Sequence, residues 1–276
     1  VSAARDTGRR RATFTRVTAD ALQIAVLTAV AFAAGTVDAI AGGGGILTVP
    51  ALLWAGLPTN IVLGTNKGQS VFGSGAALAR FARAGLIDRA RARRTFVAGL
   101  LAAALGAFAV AALVAAGEQE HRDDLRPVVL TLLVAVAAFL LLKPAALVPT
   151  GDPPRRPHLV AAAIAAVIGA YDGFFGPGTG TFLILAFVVW LKDAAAQASA
   201  DAKVVNFASN LASLIVFAAF GWVRWEIALP MAAAQFAGGV FGAHLTVRGG
   251  DRIVRRVTPV VVVAVAAKLA WDLLHA

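Results

Sequence analysis

Long apolar runs separated by short polar loops dominate this chain of 276 residues. About twenty apolar residues cross the hydrocarbon core of a bilayer as a helix. The pattern predicts such helices at 22–41, 96–116, 127–142, 159–175, 204–220, 227–247 and 253–274. Two shorter apolar pieces, 46–55 and 65–81, lie between the first two and are joined by Gly-Leu-Pro-Thr-Asn. Residues 179–191 correspond to the first of these pieces in the second half, and 204–220 to the second. Each half thus reads as a helix, a glycine break with a short apolar piece, a polar-headed helix and two plain helices. A basic tail (1–20) precedes a first transmembrane repeat (21–148). The proline-rich stretch 149–157 cannot continue a helix and links it to a second repeat (158–276).

The repetition extends to individual residues. Residues 35–50 read GTVDAIAGGGGILTVP and 169–180 read GAYDGFFGPGTG. Gly35, Asp38, Gly42 and Gly44 recur at one constant offset as Gly169, Asp172, Gly176 and Gly178. Lys67, Gly85 and Gly106 recur at a second, slightly longer offset as Lys203, Gly221 and Gly242. A duplicated apolar segment, broken by glycine and flanked by an acid and a lysine, points to a transport site.

Composition supports a membrane setting. Hydrophobic residues make up 59% and charged residues 14%, against about 25% charged in a soluble domain. Net charge is +10. The arginines sit in short loops between apolar runs, the signature of topology control by cytoplasmic basic residues rather than of nucleic-acid binding. The absence of cysteine excludes disulfides and thiolate sites, and four isolated histidines offer no metal-ligand spacing. No cofactor is expected, and no Gly-x-x-x-x-Gly-Lys-Ser/Thr loop is present to bind ATP.

Loop charge bears on orientation. The loop after the first polar-headed helix carries Arg80, Arg83, Arg89, Arg91, Arg93 and Arg94 against Asp88, whereas its counterpart carries only Arg224 and Glu226. In the next loop Glu118, Glu120, Asp123 and Asp124 face Arg122 and Arg126, and the counterpart has Arg248, Arg252, Arg255 and Arg256 against Asp251. The basic loop changes position between halves, which predicts an inverted repeat. The tail arginines Arg5, Arg9, Arg10, Arg11 and Arg16 argue for the other side. The inter-helix loops, fixed at both ends, carry more weight.

Candidate chemistry gathers at the breaks. Four consecutive glycines, Gly42 to Gly45, break a helix, since each costs about 1 kcal/mol relative to alanine. Irregular backbone at membrane depth is tolerated where it is buried or lines a cavity. The half-helices that follow then present free amides, at Gly43 and Gly44 and at Gly178 and Thr179, which suit an anion. The Gly-x-x-x-Gly spacings at Gly64, Gly169 and Gly238 read instead as helix packing. Lys67 lies among Asn66 and Ser70, and Lys203 lies near Asn206. Each lysine either contributes charge to an anion site or sits at a helix end and snorkels to the interface. Symmetry sets Asp38 against Lys203 and Asp172 against Lys67. The aspartates then act as proton carriers or as structural counter-charges. Tyr171, Phe174, Phe175 and Trp54 wall the site or pack, and Trp222, Trp225 and Trp271 fit interfacial anchors.

At these residues the chain resembles the sulfite exporter TauE/SafE family of bacterial membrane transporters. The resemblance rests on GTVDAIAGGGGILTVPALL, LGTNK, RFARAGLID, GFFGPGTG and AKVVNFASN, in the family's order and over nearly the whole chain beyond the tail. It implies an inner-membrane carrier of small sulfur-containing anions such as sulfite or organosulfonates. Asp201, aligned with Thr65, departs from the pattern and is expected to quench part of the field of Lys203. The reading is an all-α polytopic membrane protein, an inverted pair of repeats with glycine-broken half-helices. It exports a small anion by alternating access, works in the lipid bilayer and leaves homo-oligomers open. The alternatives are an anion channel, an importer, and an intramembrane serine hydrolase built on Ser70 and His244.

Overall fold

A computed structural model of the chain describes residues 21–116, 131, 149 and 151–274. Among the described residues all regular structure is helical. The elements are α1 (Ala21–Ala41), α2 (Gly44–Trp54), α3 (Thr59–Arg83), α4 (Arg89–Ala116), α5 (Pro157–Phe174), α6 (Thr179–Ala186, prolonged by a π-helical turn Phe187–Leu191), α7 (Ala195–Ala219) and α8 (Trp225–Leu274). The tail 1–20, the acidic loop 118–126 and, but for residue 131, the helix expected at 127–142 lie outside the described residues.

Four described helices are long and apolar enough to cross a membrane: Ala21–Ala41, Arg89–Ala115, Pro157–Phe174 and Ala195–Ala219. The helix α1 stops where Gly42 and Gly43 adopt φ 74° and 86°, a left-handed conformation that glycine enters without a Cβ clash. Gly43 and Gly178 cap α2 and α6 with the same φ of 86°. Gly178 therefore matches Gly43 and not Gly44, because Pro177 adds one residue to the second break. The polar-headed helices begin earlier than their apolar patterns suggest, at Thr59 and Ala195 rather than 65 and 204. Buried partners hold the polar residues of these segments inside helices, so tertiary context overrides local pattern. The helices expected at 227–247 and 253–274 are the two parts of α8, separated by a kink at Gly250, whose φ of 53° and ψ of −149° are not helical.

The packing is reciprocal. The helix α1 packs on α8 and α5 on α4, while α3 packs on α8 and α7 on α4, with α3 and α7 in mutual contact. Glycines permit these approaches. A Cβ on Gly173 would lie 2.0 Å from the Ala103 carbonyl, and one on Gly238 would lie 2.2 Å from that of Phe32. The turn after α3 reaches the start of α7, where the Asp88 amide donates to Asp201 Oδ1 (3.2 Å). The turn after α7 reaches the start of α3, where the Arg224 amide donates to Thr65 Oγ1 (3.1 Å). Trp222 is not an interfacial anchor. It is buried and stacks on Phe217 at 5.4 Å. Trp225 is 44% exposed, and the side chain of Trp271 is outside those described.

Candidate functional site

The two breaks meet each other. A Cβ on Gly42 would come within 2.2 Å of the Gly180 carbonyl carbon, so only glycine allows the contact. Beside this junction a cavity is lined by Asp38, Gly43, Gly44 and Gly45 of the first break and Asp172, Gly176, Gly178, Thr179 and Gly180 of the second. Asn66, Lys67 and Ser70 of α3 and Asn206 of α7, all expected from sequence, line it too, and Asn210 and Gln235 join them; Lys203, also expected, does not line the space itself and reaches it through Asp38. The space measures about 20 Å³, room for about one water.

Lys67 and Lys203 are 1% and 0% exposed. Both lie well inside their helices, so they do not snorkel from helix ends. Lys67 Nζ lies 2.8 Å from Asp172 Oδ1, and Lys203 Nζ lies 2.9 Å from Asp38 Oδ2. Each lysine thus pairs with the aspartate of the other half. Asp172 Oδ1 also accepts from the Thr179 hydroxyl (2.9 Å), and its Oδ2 accepts from Ser209. Asp38 Oδ1 accepts from the Gly44 amide (3.2 Å). The anion on that half-helix end is the protein's own carboxylate. Two lysines against two aspartates leave the tetrad neutral.

Amide side chains complete the lining. Asn66 Oδ1 accepts from Thr48 (2.6 Å) and Gln69 (3.0 Å), which ties α2 to α3. Buried Asn206 Oδ1 and Gln235 Oε1 have no hydrogen-bond partner among the described residues. Gln235 lies outside the repeated motifs. Its side chain is wedged between α1 and α3, since a Cβ on Gly35 or Gly73 would approach its Cγ to 2.9 or 2.6 Å. An isolated glutamine in an apolar helix was the available signal.

Other expectations fall elsewhere. Asp201 does not quench Lys203; its Oδ2 binds Arg91 at 2.5 Å. Trp54 is exposed, while Tyr171 donates to the Pro177 carbonyl (2.6 Å) and thereby pins the second break from behind. None of the four aromatics lines the cavity. His244 Nδ1 is 3.5 Å from Arg80, ten residues beyond Ser70 on α3 and so about 15 Å along it. Ser70 and His244 form no nucleophile–base pair.

Broken helices that meet in a buried junction are a common setting for the site of a secondary transporter. The family model for the sulfite exporter TauE/SafE matches residues 27–269. The chain belongs to the TauE/SafE family. This TauE/SafE member is a multi-pass membrane transporter, and the family is one of transporters rather than enzymes. It is similar to a probable membrane transporter protein, ORF9, of Sinorhizobium sp (37% identical, covering 91% of this chain and 94% of that one). It is similar also to probable membrane transporter proteins of Haemophilus influenzae (33%; 90% and 95%) and Escherichia coli K12 (YfcA, 34%; 91% of each). No solved structure is significantly similar to it.

Proposed function

We propose that the chain is a secondary carrier that exports a small sulfur-containing anion, of the sulfite or organosulfonate class, across the bacterial inner membrane. The observation that carries this reading is the pair of buried lysines at the junction of the two breaks. An incoming oxyanion takes the place of Asp38 on Lys203 and on the Gly44 amide, exchanging one anion for another on the same donors. Asn66, Ser70 and Asn206 orient its oxygens. A cavity of one water's size holds no sulfonate, so the lining parts to admit it, which supports a carrier over an open channel.

The reciprocal packing supports an inverted repeat, with residues 21–148 and 158–276 as its halves and 149–157 as the linker. Each repeat then rocks against the other around a fixed site. The loaded tetrad carries the anion's charge. Outward movement therefore gains about 2.3 kcal/mol per charge per 100 mV of inside-negative potential. If the released Asp38 takes a proton from the cytoplasm, the step becomes electroneutral and that gain disappears.

The test is flux of sulfite and taurine in proteoliposomes, preceded by a thermal-shift screen of sulfite, sulfoacetate, taurine, thiosulfate and sulfate. Lys67→Ala and Lys203→Ala are expected to abolish flux while still inserting into the membrane. Full flux in both variants overturns the site.

A further inference from the structure

The turns that lead into α4 and α8 are alike in backbone and opposite in chemistry. Gly85 and Gly221 share a left-handed conformation, φ 74° and 71°. The Leu86 amide donates to Phe81 (3.1 Å) as the Trp222 amide donates to Phe217 (2.9 Å). The Asp88 and Arg224 amides then bind Asp201 and Thr65, and these positions keep the offset that separates the two lysines. The same offset sets Arg91 against Ile227 and Asp193 against Leu57.

At the first turn Arg91 is buried and bridges two carboxylates. Its Nη1 lies 2.6 Å from Asp193 Oδ2 and its Nη2 lies 2.5 Å from Asp201 Oδ2. The guanidinium sits 5.8 Å from the Phe187 ring centre, a cation–π distance. Gln197 donates to Asp201 Oδ2 (2.9 Å) and fixes that carboxylate further. The arginine comes from α4, Asp193 from the turn between α6 and α7, and Asp201 from α7, so the cluster ties three elements. At the second turn Leu57 and Ile227 are buried in an apolar cluster with Phe217 and Trp222.

We propose that Arg91, Asp193 and Asp201 form an ionic latch that holds one end of the transport path shut, while the matching aliphatic end opens more readily. The inference rests on the alternating-access reading above. Apolar contact is non-directional and survives small slides. A guanidinium bridging two carboxylates in a dry interior is directional, and its bonds are lost once the fork swings off them. The Asp251 carboxylate accepts from the Ala196 amide (2.8 Å), which brings the bend of α8 and its arginines to the latch end. That end therefore carries both basic loops and faces the cytoplasm by the positive-inside rule. The resting carrier opens away from the cytoplasm.

The chain contains no cysteine, so one introduced thiol is a unique reporter. Ser199→Cys on α7 and Leu63→Cys on α3 occupy matched positions toward the two ends, both buried. The variant Arg91→Ile, Asp193→Leu, Asp201→Thr writes the aliphatic end's residues into the latch. Maleimide labelling of the purified chain is expected to quicken about tenfold at Ser199→Cys and to slow at Leu63→Cys, as a two-state shift requires. An unchanged rate at Ser199→Cys, or an equal rise at both reporters, overturns the latch. Asp193→Asn, on the turn, is run beside it in case the triple variant does not fold. It is expected to move the ratio of the two rates the same way by about twofold, and a folded protein with an unchanged ratio overturns the latch as well. Sulfite flux is followed separately. Its absence in the parent chain defeats the substrate reading, while the labelling ratio still decides the latch.

Discussion

The two lysine–aspartate pairs occupy equivalent places in the sequence and unequal surroundings. The Asp172 side chain is 5% exposed and receives Lys67, the Thr179 hydroxyl and the Ser209 hydroxyl. The Asp38 side chain is 15% exposed and receives Lys203 and one backbone amide. The difference has a source in the sequence, because Gly73 stands where α7 has Ser209. A carboxylate held by three donors is part of the scaffold. One held by two donors, with some access to water, can let go of its lysine and take it back. The Asp38–Lys203 pair is the one suited to exchange with a solute.

The largest expected effect separates the pairs by stability. Removing one partner of a buried pair leaves an uncompensated charge and costs about 3–5 kcal/mol. Lys67→Ala is expected to lose that much in reversible unfolding in detergent. Lys203→Ala is expected to lose clearly less, because Asp38 reaches water. Equal losses would erase the distinction drawn between the two pairs.

A smaller effect sharpens the same contrast. Ser209→Ala deprives Asp172 of one hydroxyl donor and is expected to cost about 1–3 kcal/mol. It also makes the environment of Asp172 resemble that of Asp38. Combined with Lys67→Ala the two losses are expected not to add, since both act on one carboxylate. Strict additivity in a double-mutant cycle would mean that the hydroxyl does not bind Asp172.

The unequal pairs also mark what was legible beforehand. Four glycines in a row and a lysine in an apolar run are local anomalies, so the breaks and the lysine positions can be read from composition and spacing alone. The membrane class is legible for the same reason. The starts of α3 and α7 are not; in α3, Asn66 and Lys67 look like a loop until Thr48 on α2 and Asp172 on α5 bind them. The link from Asp201 to Arg91 spans 110 residues, and no periodicity reports a contact of that range. Trp222 illustrates the converse: a tryptophan beside a turn resembles an interface anchor until Phe217 is found stacked against it. The one-residue slip of the second break escapes pattern matching because glycines on both sides of Pro177 offer two alignments.

The smallest effect on stability tests where the cavity's asymmetry leads. Gln235 is 1% exposed, its Oε1 has no partner among the described residues, and its counterpart in the first half, at the lysine offset, is Gly99. A buried amide oxygen left unsatisfied costs about 1–3 kcal/mol, and an apolar replacement of similar shape is neutral or stabilising. If the amide belonged to the scaffold, Gln235→Leu would unfold more easily and bind as before. If it is held for the solute, as the working pair beside it suggests, the variant keeps or gains stability and loses affinity. The expected result is an unchanged or higher Tm with a raised KM for sulfite and little change in maximal flux. That combination would place the selectivity of the site on the side of Asp38 and Lys203, where the scaffold holds its own carboxylate least tightly.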